Sequence, residues 1–411
     1  MSKSAEVITF GCRLNLYESE VIKKEINGLK NTFVFNTCAV TSEAERQARQ
    51  AIRKKNRLYP DANIVVTGCS AQIDPLKWLK MPEVKKVLGN KEKLLFKNYN
   101  KDSADLVVND IMSVADTAGH FLQSFENKSR AFLEIQNGCN HRCTFCIIPF
   151  ARGNSRSVSI EEIISEIKLL CRNGFSEVVL TGVDIGDYGS DTKGNISLSI
   201  LVKSILDSVP NLHRLRLSSI DPKKFDDQLI KLIANQKRIL PYFHLSVQSG
   251  DNIILKRMKR RHTREDVIEL CSKIRKVRPD AVFGADFIAG FPTETDSMFN
   301  KTFQLIKECE LAFLHIFPYS VRSGTAAARM PQIINEIKKY RASQLRKLDK
   351  QIKNNLYKKF IGTNVKVLVE KNNIGRTEHY IPIKLIGNVE EGKIIESRVV
   401  SSTKETLIGE I

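Results

Sequence analysis

Gly138-Cys139-Asn-His-Arg-Cys143-Thr-Phe-Cys146 lies just beyond the apolar run Ala131–Gln136, and its reading decides the fold. Short Cys-x3-Cys-x2-Cys spacers curl the backbone so that three thiolates reach three irons of one cubane. A four-iron cluster with three cysteine ligands keeps one iron open to a substrate or cofactor. The spacing therefore points to chemistry more than to electron storage. The competing reading is a structural zinc site, which closes with four ligands and would need His141 or a distant cysteine as the fourth.

Outward from this loop the chain alternates apolar strands with helical stretches. Strands are expected at Ala131–Gln136, Glu177–Thr181, Arg214–Ser218, Tyr242–Val247, Val282–Ala289 and Phe313–Pro318. Between them apolar residues recur at three- and four-residue spacing, as in Ile160, Ile163, Ile164, Ile167 and Cys171. Six β-then-α units over roughly two hundred residues predict an incomplete barrel of parallel strands. The cysteine loop, Thr181-Gly182, Ser218-Ser219, Gln248-Ser249-Gly250, Gly290-Phe291-Pro292 and Tyr319-Ser320 all fall at carboxyl ends of strands. That rim carries the reactive loops of such barrels.

Upstream, three apolar segments end alike: Val7-Ile-Thr-Phe-Gly-Cys12, Phe33-Val-Phe-Asn-Thr-Cys38 and Ile64-Val-Val-Thr-Gly-Cys69. In an open parallel α/β sheet the carboxyl edge is where ligands bind, so Cys12, Cys38 and Cys69 can converge on a second centre, again with three ligands. A buried small hydrophobe is the alternative for any one of them. Cys171, Cys271 and Cys309 fall on helical apolar faces and are expected in the core. Asp102–Asn127 is polar, poorly periodic and expected to be a linker. Residues 332–359 predict a long basic helix, followed by strands at Val365–Glu370, Thr377–Leu385, Lys393–Val400 and Glu405–Ile411, a small antiparallel β-barrel.

The 411 residues suffice for three domains. We expect 1–120 as a parallel α/β domain, 121–350 as the partial barrel and 351–411 as the small β domain. No stretch is apolar enough to span a bilayer, and Met1–Thr9 lacks a secretion signal, so a cytoplasmic protein without a membrane partner is expected. Nine cysteines there are more consistent with metal ligation than with disulfides. The formal charge of +19 is gathered in runs at Arg46–Arg57, Lys256–Arg264 and Lys338–Lys359. Three runs in one chain favour a polyanionic partner, most simply RNA. Phosphate loops, dinucleotide fingerprints and nucleophile elbows are absent.

At Cys139–Cys146 the sequence resembles the radical S-adenosylmethionine superfamily. Gly11-Cys-Arg-Leu-Asn-Leu-Tyr-Glu-Ser-Glu20, Asn36-Thr-Cys38 and Thr67-Gly-Cys69 resemble the amino-terminal domain of its methylthiotransferases. His244-Leu-Ser-Val-Gln-Ser-Gly250, Gly290-Phe-Pro-Thr-Glu-Thr295 and Phe317-Pro-Tyr-Ser320 resemble that family's barrel motifs, and Gly375-Arg-Thr-Glu-His-Tyr380 an RNA-binding TRAM module. Gly-Cys-Arg-Leu-Asn and Asn-Thr-Cys-Ala-Val-Thr41 look like the branch that methylthiolates carbon 2 of N6-threonylcarbamoyladenosine at position 37 of tRNA, beside the anticodon. Thr293 and Ser323 stand where the family commonly has Gly and Pro.

The resemblance implies two [4Fe-4S] clusters and S-adenosylmethionine. Cys139, Cys143 and Cys146 would hold the catalytic cluster and Cys12, Cys38 and Cys69 the second, while Thr181, Gly182, Gln248, Asp286 and Gly290 are candidates for the cofactor pocket. It further implies a monomer that meets the tRNA anticodon stem-loop and an electron donor such as flavodoxin or ferredoxin. The alternatives are methylthiolation of isopentenyladenosine or of a ribosomal protein aspartate, and a non-catalytic RNA-binding metal-cluster protein.

Overall fold

The computed structural model describes residues 3–100, 103–114, 129–194 and 196–411. Its first sheet is five-stranded and wholly parallel, in the order β1 (Glu6–Thr9), β2 (Thr32–Thr37), β3 (Asn63–Gly68), β4 (Lys86–Leu88) and β5 (Leu106–Val107). All six residues of β2 are buried, as a central strand covered on both faces requires. The helix Ser42–Leu58 that follows is capped by Thr41, whose side chain accepts from the Ala44 amide. Glu43 and Glu45 in its first turn and Lys55 and Arg57 in its last complement the helix dipole. The short strands β4 and β5 carry too little periodicity to be seen in the sequence. β5 brings part of the expected linker into the sheet, while residues 102 and 115–127 of that linker, and the boundary expected at 120, lie outside the described residues.

All six expected barrel strands form: β6 (Ala131–Asn137), β8 (Glu177–Gly182), β9 (Arg214–Leu217), β10 (Tyr242–Gln248), β11 (Val282–Ala289) and β12 (Leu311–Pro318), with the short β7 (Arg156–Ser157) antiparallel on the edge of β6. They form the sheets β7-β6-β8-β9 and β10-β11-β12, joined by parallel bridges Leu215–Ile239 and Ile220–Leu245. One apolar core runs through this partial barrel and takes in Tyr17 and Val21 from the first domain's helix Arg13–Glu25. Cys271 and Cys309 are buried in it, and Cys171 packs at its margin.

The final strands β13 (Asn364–Val369), β14 (Ile374–Thr377), β15 (Pro382–Ile386), β16 (Ile394–Ser402) and β17 (Leu407–Glu410) close a five-stranded barrel in the order β13-β14-β15-β17-β16. Two details correct the sequence reading. The strand expected at Thr377–Leu385 breaks into β14 and β15, because Tyr380 adopts a left-handed φ of 66°. The β15–β17 pair is parallel, the others antiparallel. The boundary expected at 350 falls inside the helix Asn335–Phe360, which gives Ala342, Leu345 and Leu348 to the partial barrel's core and Tyr357 to the small barrel's.

Buried Glu177, at the start of β8, ties these units together. It pairs with Arg130 (3.1 Å), Arg216 (2.7 Å) and Arg214 (3.5 Å). Arg214 then donates to the Lys366 carbonyl at 2.9 Å, and Arg216 to those of Thr377 and Glu378 at 2.8 and 2.9 Å.

Candidate functional site

The carboxyl ends of the first sheet and of the partial barrel face a common cavity of about 720 Å3. Cys12, Cys38, Cys69 and Cys146 line it, with Thr181, Gly182, Gln248 and Asp286 from the barrel strands. Four of the five expected cofactor-pocket residues thus meet there, and Gly290 does not. At φ 73° it packs under the helix Asn335–Phe360, where an added Cβ would sit 2.6 Å from Cγ of Lys338, and its amide donates to Glu294. Gly290→Ala is therefore expected to destabilise the fold by about 1–3 kcal/mol, read from the urea midpoint.

Neighbours on several sides fix the loop Gly138–Cys146. Gln136 bridges two rim loops: its Oε1 accepts from the amides of Val183 and Asp184 at 3.1 and 2.9 Å, and its Nε2 donates to the Gly138 carbonyl at 2.7 Å. Gly138 cannot be replaced without collision, since a Cβ would fall 1.8 Å from the Asn154 carbonyl oxygen. Thr144 donates from its amide to the Met258 carbonyl and from its hydroxyl to that of Arg257. Arg260 donates to Sγ of Cys143 at 3.4 Å and is itself held by Asp221 and the Ser246 carbonyl, both at 2.8 Å. The basic run Lys256–Arg264 is thus divided. Arg260 faces the cysteine loop and Arg261 faces Asp184 and Asp187, while Lys256, Arg257 and Lys259 are exposed. Thr293, with φ 67°, occupies a left-handed position that favours glycine, and its hydroxyl accepts from exposed Arg257 at 2.7 Å.

The upstream triad sits on three strand ends, with Cys38 and Cys69 buried and Cys12 exposed on the cavity wall. A Cβ on Gly11 would lie 2.7 Å from Sγ of Cys38, so glycine keeps that space clear. The Val40 amide donates to Sγ of Cys38 at 3.4 Å, and the Asn90 side chain to Sγ of Cys69 at 3.9 Å. Arg152, which ends the short helix after the cysteine loop, reaches back to Glu18 (2.8 Å) and Asn15 (2.6 Å). Lys93 completes this buried set at 2.7 Å from Glu18. Burial would raise the Glu18 carboxyl, but Arg152 and Lys93 outweigh it and hold the group at about 2. Long-range contacts alone reveal Glu18, Lys93, Asn90 and Arg152.

Both triads suit a cluster better than a single ion. Burial pushes the thiols of Cys38, Cys139 and Cys146 up to about 12, so the charge of bound metal is what would hold them as thiolates. Tetrahedral zinc with bonds of about 2.3 Å places its sulfurs roughly 3.8 Å apart. Among the described residues, the only His, Cys, Asp and Glu group whose ligand atoms all lie within 4.8 Å of one another is His244, Asp286 and His315. The cysteines are spread more widely, and neither His141 nor a further cysteine completes a zinc site. His244 and His315 instead point their ring nitrogens at Oδ1 of Asp286, at 2.9 and 3.0 Å, on the cavity wall.

Comparison with known proteins adds to this geometry. The radical SAM superfamily profile matches residues 133–306, and that of the uncharacterized protein family UPF0004 matches residues 4–89. The threonylcarbamoyladenosine tRNA methylthiotransferase MtaB of Rickettsia prowazekii is 55% identical, over 96% of this chain and 94% of the relative. Its counterpart in Aquifex aeolicus is 38% identical over 94% and 98%. A tRNA-2-methylthio-N(6)-dimethylallyladenosine synthase of Clostridium botulinum is 31% identical over 98% and 95%. Among solved structures, the radical S-adenosylmethionine methyltransferase TsrM of Kitasatospora setae superposes with a TM-score of 0.58 at 14% identity, over 80% of this chain and 74% of that one, a likeness of fold.

Proposed function

This chain belongs to the radical S-adenosylmethionine methylthiotransferases, and from that premise we propose how its residues share the work of one reaction. The enzyme is a transferase that uses S-adenosylmethionine and two [4Fe-4S] clusters to methylthiolate threonylcarbamoyladenosine in tRNA. The proposal is that this occurs at carbon 2 of nucleotide 37, in the cytoplasm and by a monomer, with a flavodoxin or ferredoxin as electron donor. One observation carries the division of labour: Cys12, Cys38 and Cys69 line one cavity together with Cys146 of the loop triad. The relatives acting on threonylcarbamoyladenosine are the more similar ones, at 55% and 38% against 31%, which disfavours dimethylallyladenosine as substrate.

In this reading Cys139, Cys143 and Cys146 hold the catalytic cluster, and Cys12, Cys38 and Cys69 the one that carries sulfur. When bound, these groups supply a carbon radical able to attack an inert C–H bond and a sulfur to replace its hydrogen. Arg260 donates to Cys143 and stabilises negative charge on its sulfur. Phe145, Ile147, Ile288 and Phe317 give the cavity apolar walls that exclude water. Thr181, Gly182, Gln248 and Asp286 offer polar groups that orient the cofactor. Arg152 joins the two triads by reaching from the end of one loop into the domain of the other.

Incubating the reconstituted enzyme with threonylcarbamoyl-modified tRNA should yield the 2-methylthio nucleoside on mass analysis of the digest; unchanged nucleoside would refute the reaction. The exposed cations Lys256 and Lys259 are proposed to meet tRNA phosphates. Replacing both with glutamine should lower the slope of log affinity against log salt by about one to two units. An unchanged slope would make this a solvated face.

A further inference from the structure

Three arginines line the cavity, and their partners differ. Arg152 pairs with Glu18 at 2.8 Å, a carboxylate it shares with Lys93, and Arg322 pairs with Glu45 at 2.7 Å. Arg13, next to Cys12, pairs with no carboxylate among the described residues; its one hydrogen bond there goes from Nη2 to the Tyr380 hydroxyl at 3.1 Å. A guanidinium has five N–H donors, so most of its fork remains available. Helix stability does not explain the charge either. Arg13 opens the helix Arg13–Glu25, where the dipole disfavours a cation, and no acidic residue stands in that first turn.

Its surroundings hold the guanidinium in place without neutralising it. Arg13 lies over the rings of Tyr380 (5.4 Å) and Phe132 (5.9 Å), and the Tyr380 ring also receives Arg130, Arg216 and Arg376 at 5.6, 5.1 and 4.5 Å. The last three each have a carboxylate partner: Arg130 and Arg216 share Glu177, and Glu370 lies beside Arg130 and Arg376. A half-buried cation is thus fixed on the cavity wall, with its charge unspent.

We infer that Arg13 is a specificity-determining residue that receives the carboxylate of the N6-threonylcarbamoyl group, and that Tyr380 is its positioning residue. This rests on the proposed substrate. The threonyl moiety carries the one carboxylate of the modified base, a planar anion suited to a bidentate guanidinium. A site built for that anion disfavours a neutral isostere, because its half-buried cation would be left without a counter-charge.

The test compares anticodon stem-loops bearing either the threonylcarbamoyl acid or its carboxamide, by binding affinity and by methylthiolation with the reconstituted holoenzyme. The wild type is expected to prefer the acid by about tenfold or more. In Arg13→Gln that preference should fall close to unity. Equal weakening of both stem-loops, as a phosphate or cofactor contact would give, overturns the inference, and so does a retained preference. Iron is counted in each variant. If R13Q loses iron, Tyr380→Phe carries the test: the preference falls severalfold if Tyr380 positions Arg13, and is unchanged if it does not. Failure of the wild type to methylthiolate the acid stem-loop would overturn the proposed reaction instead.

Discussion

Replacing Cys143 with alanine is expected to abolish release of 5′-deoxyadenosine from S-adenosylmethionine, and with it all methylthiolation. Cys143 is the middle thiol of the short loop, and Arg260 reaches its sulfur directly. Two remaining thiols do not hold a cluster that needs three, and no other cysteine in the described residues is placed to substitute. Cys38→Ala should act differently. Cys38 belongs to the other triad, on the end of β2, and its removal should leave cofactor cleavage partly intact while methylthiolation stops. Nucleoside analysis and quantification of 5′-deoxyadenosine in the same reactions separate the two. Normal cleavage in both variants would show that the roles are assigned wrongly.

Glu177→Gln is expected to cost about 3–5 kcal/mol, because it leaves three buried guanidiniums without their shared carboxylate. The glutamine has the same shape, so the loss reports charge and not a cavity. Burial alone would raise the Glu177 carboxyl, but Arg216 and Arg130 outweigh it and hold the group at about 2, against an ordinary 4.5. Its folded value lies below its unfolded value, so its stabilisation is complete above pH 4.5 and is lost as pH falls towards 2. The gap in urea midpoint between wild type and variant should therefore be full at neutral pH and narrow through that acid window. A gap independent of pH would assign the loss to packing.

The features legible in the sequence are those fixed by local spacing. Cys139, Cys143 and Cys146 are close in the chain, and Cys12, Cys38 and Cys69 each end an apolar strand, so pattern alone identified both triads as candidate ligand sets. The six barrel strands were equally clear, because each is a buried apolar run between helical patterns. Gly290 lies outside the cavity lining, which its sequence does not disclose, because a glycine at a strand end serves a turn, a close packing contact or a ligand with the same letters. Here it makes room for Lys338, which lies 48 residues on in sequence and beside it only in space. The same limit hid Glu18, Lys93 and Arg152, whose meaning is their mutual contact. It also hid the division of the run Lys256–Arg264, where neighbouring cations turn to opposite sides.

The contact between Arg13 and Tyr380 joins residues 367 positions apart. A ribosome delivers Cys12 well before Tyr380. The wall beside Cys12 therefore stays unfinished until residue 380 has emerged, so truncation anywhere before it leaves the reactive centre incomplete.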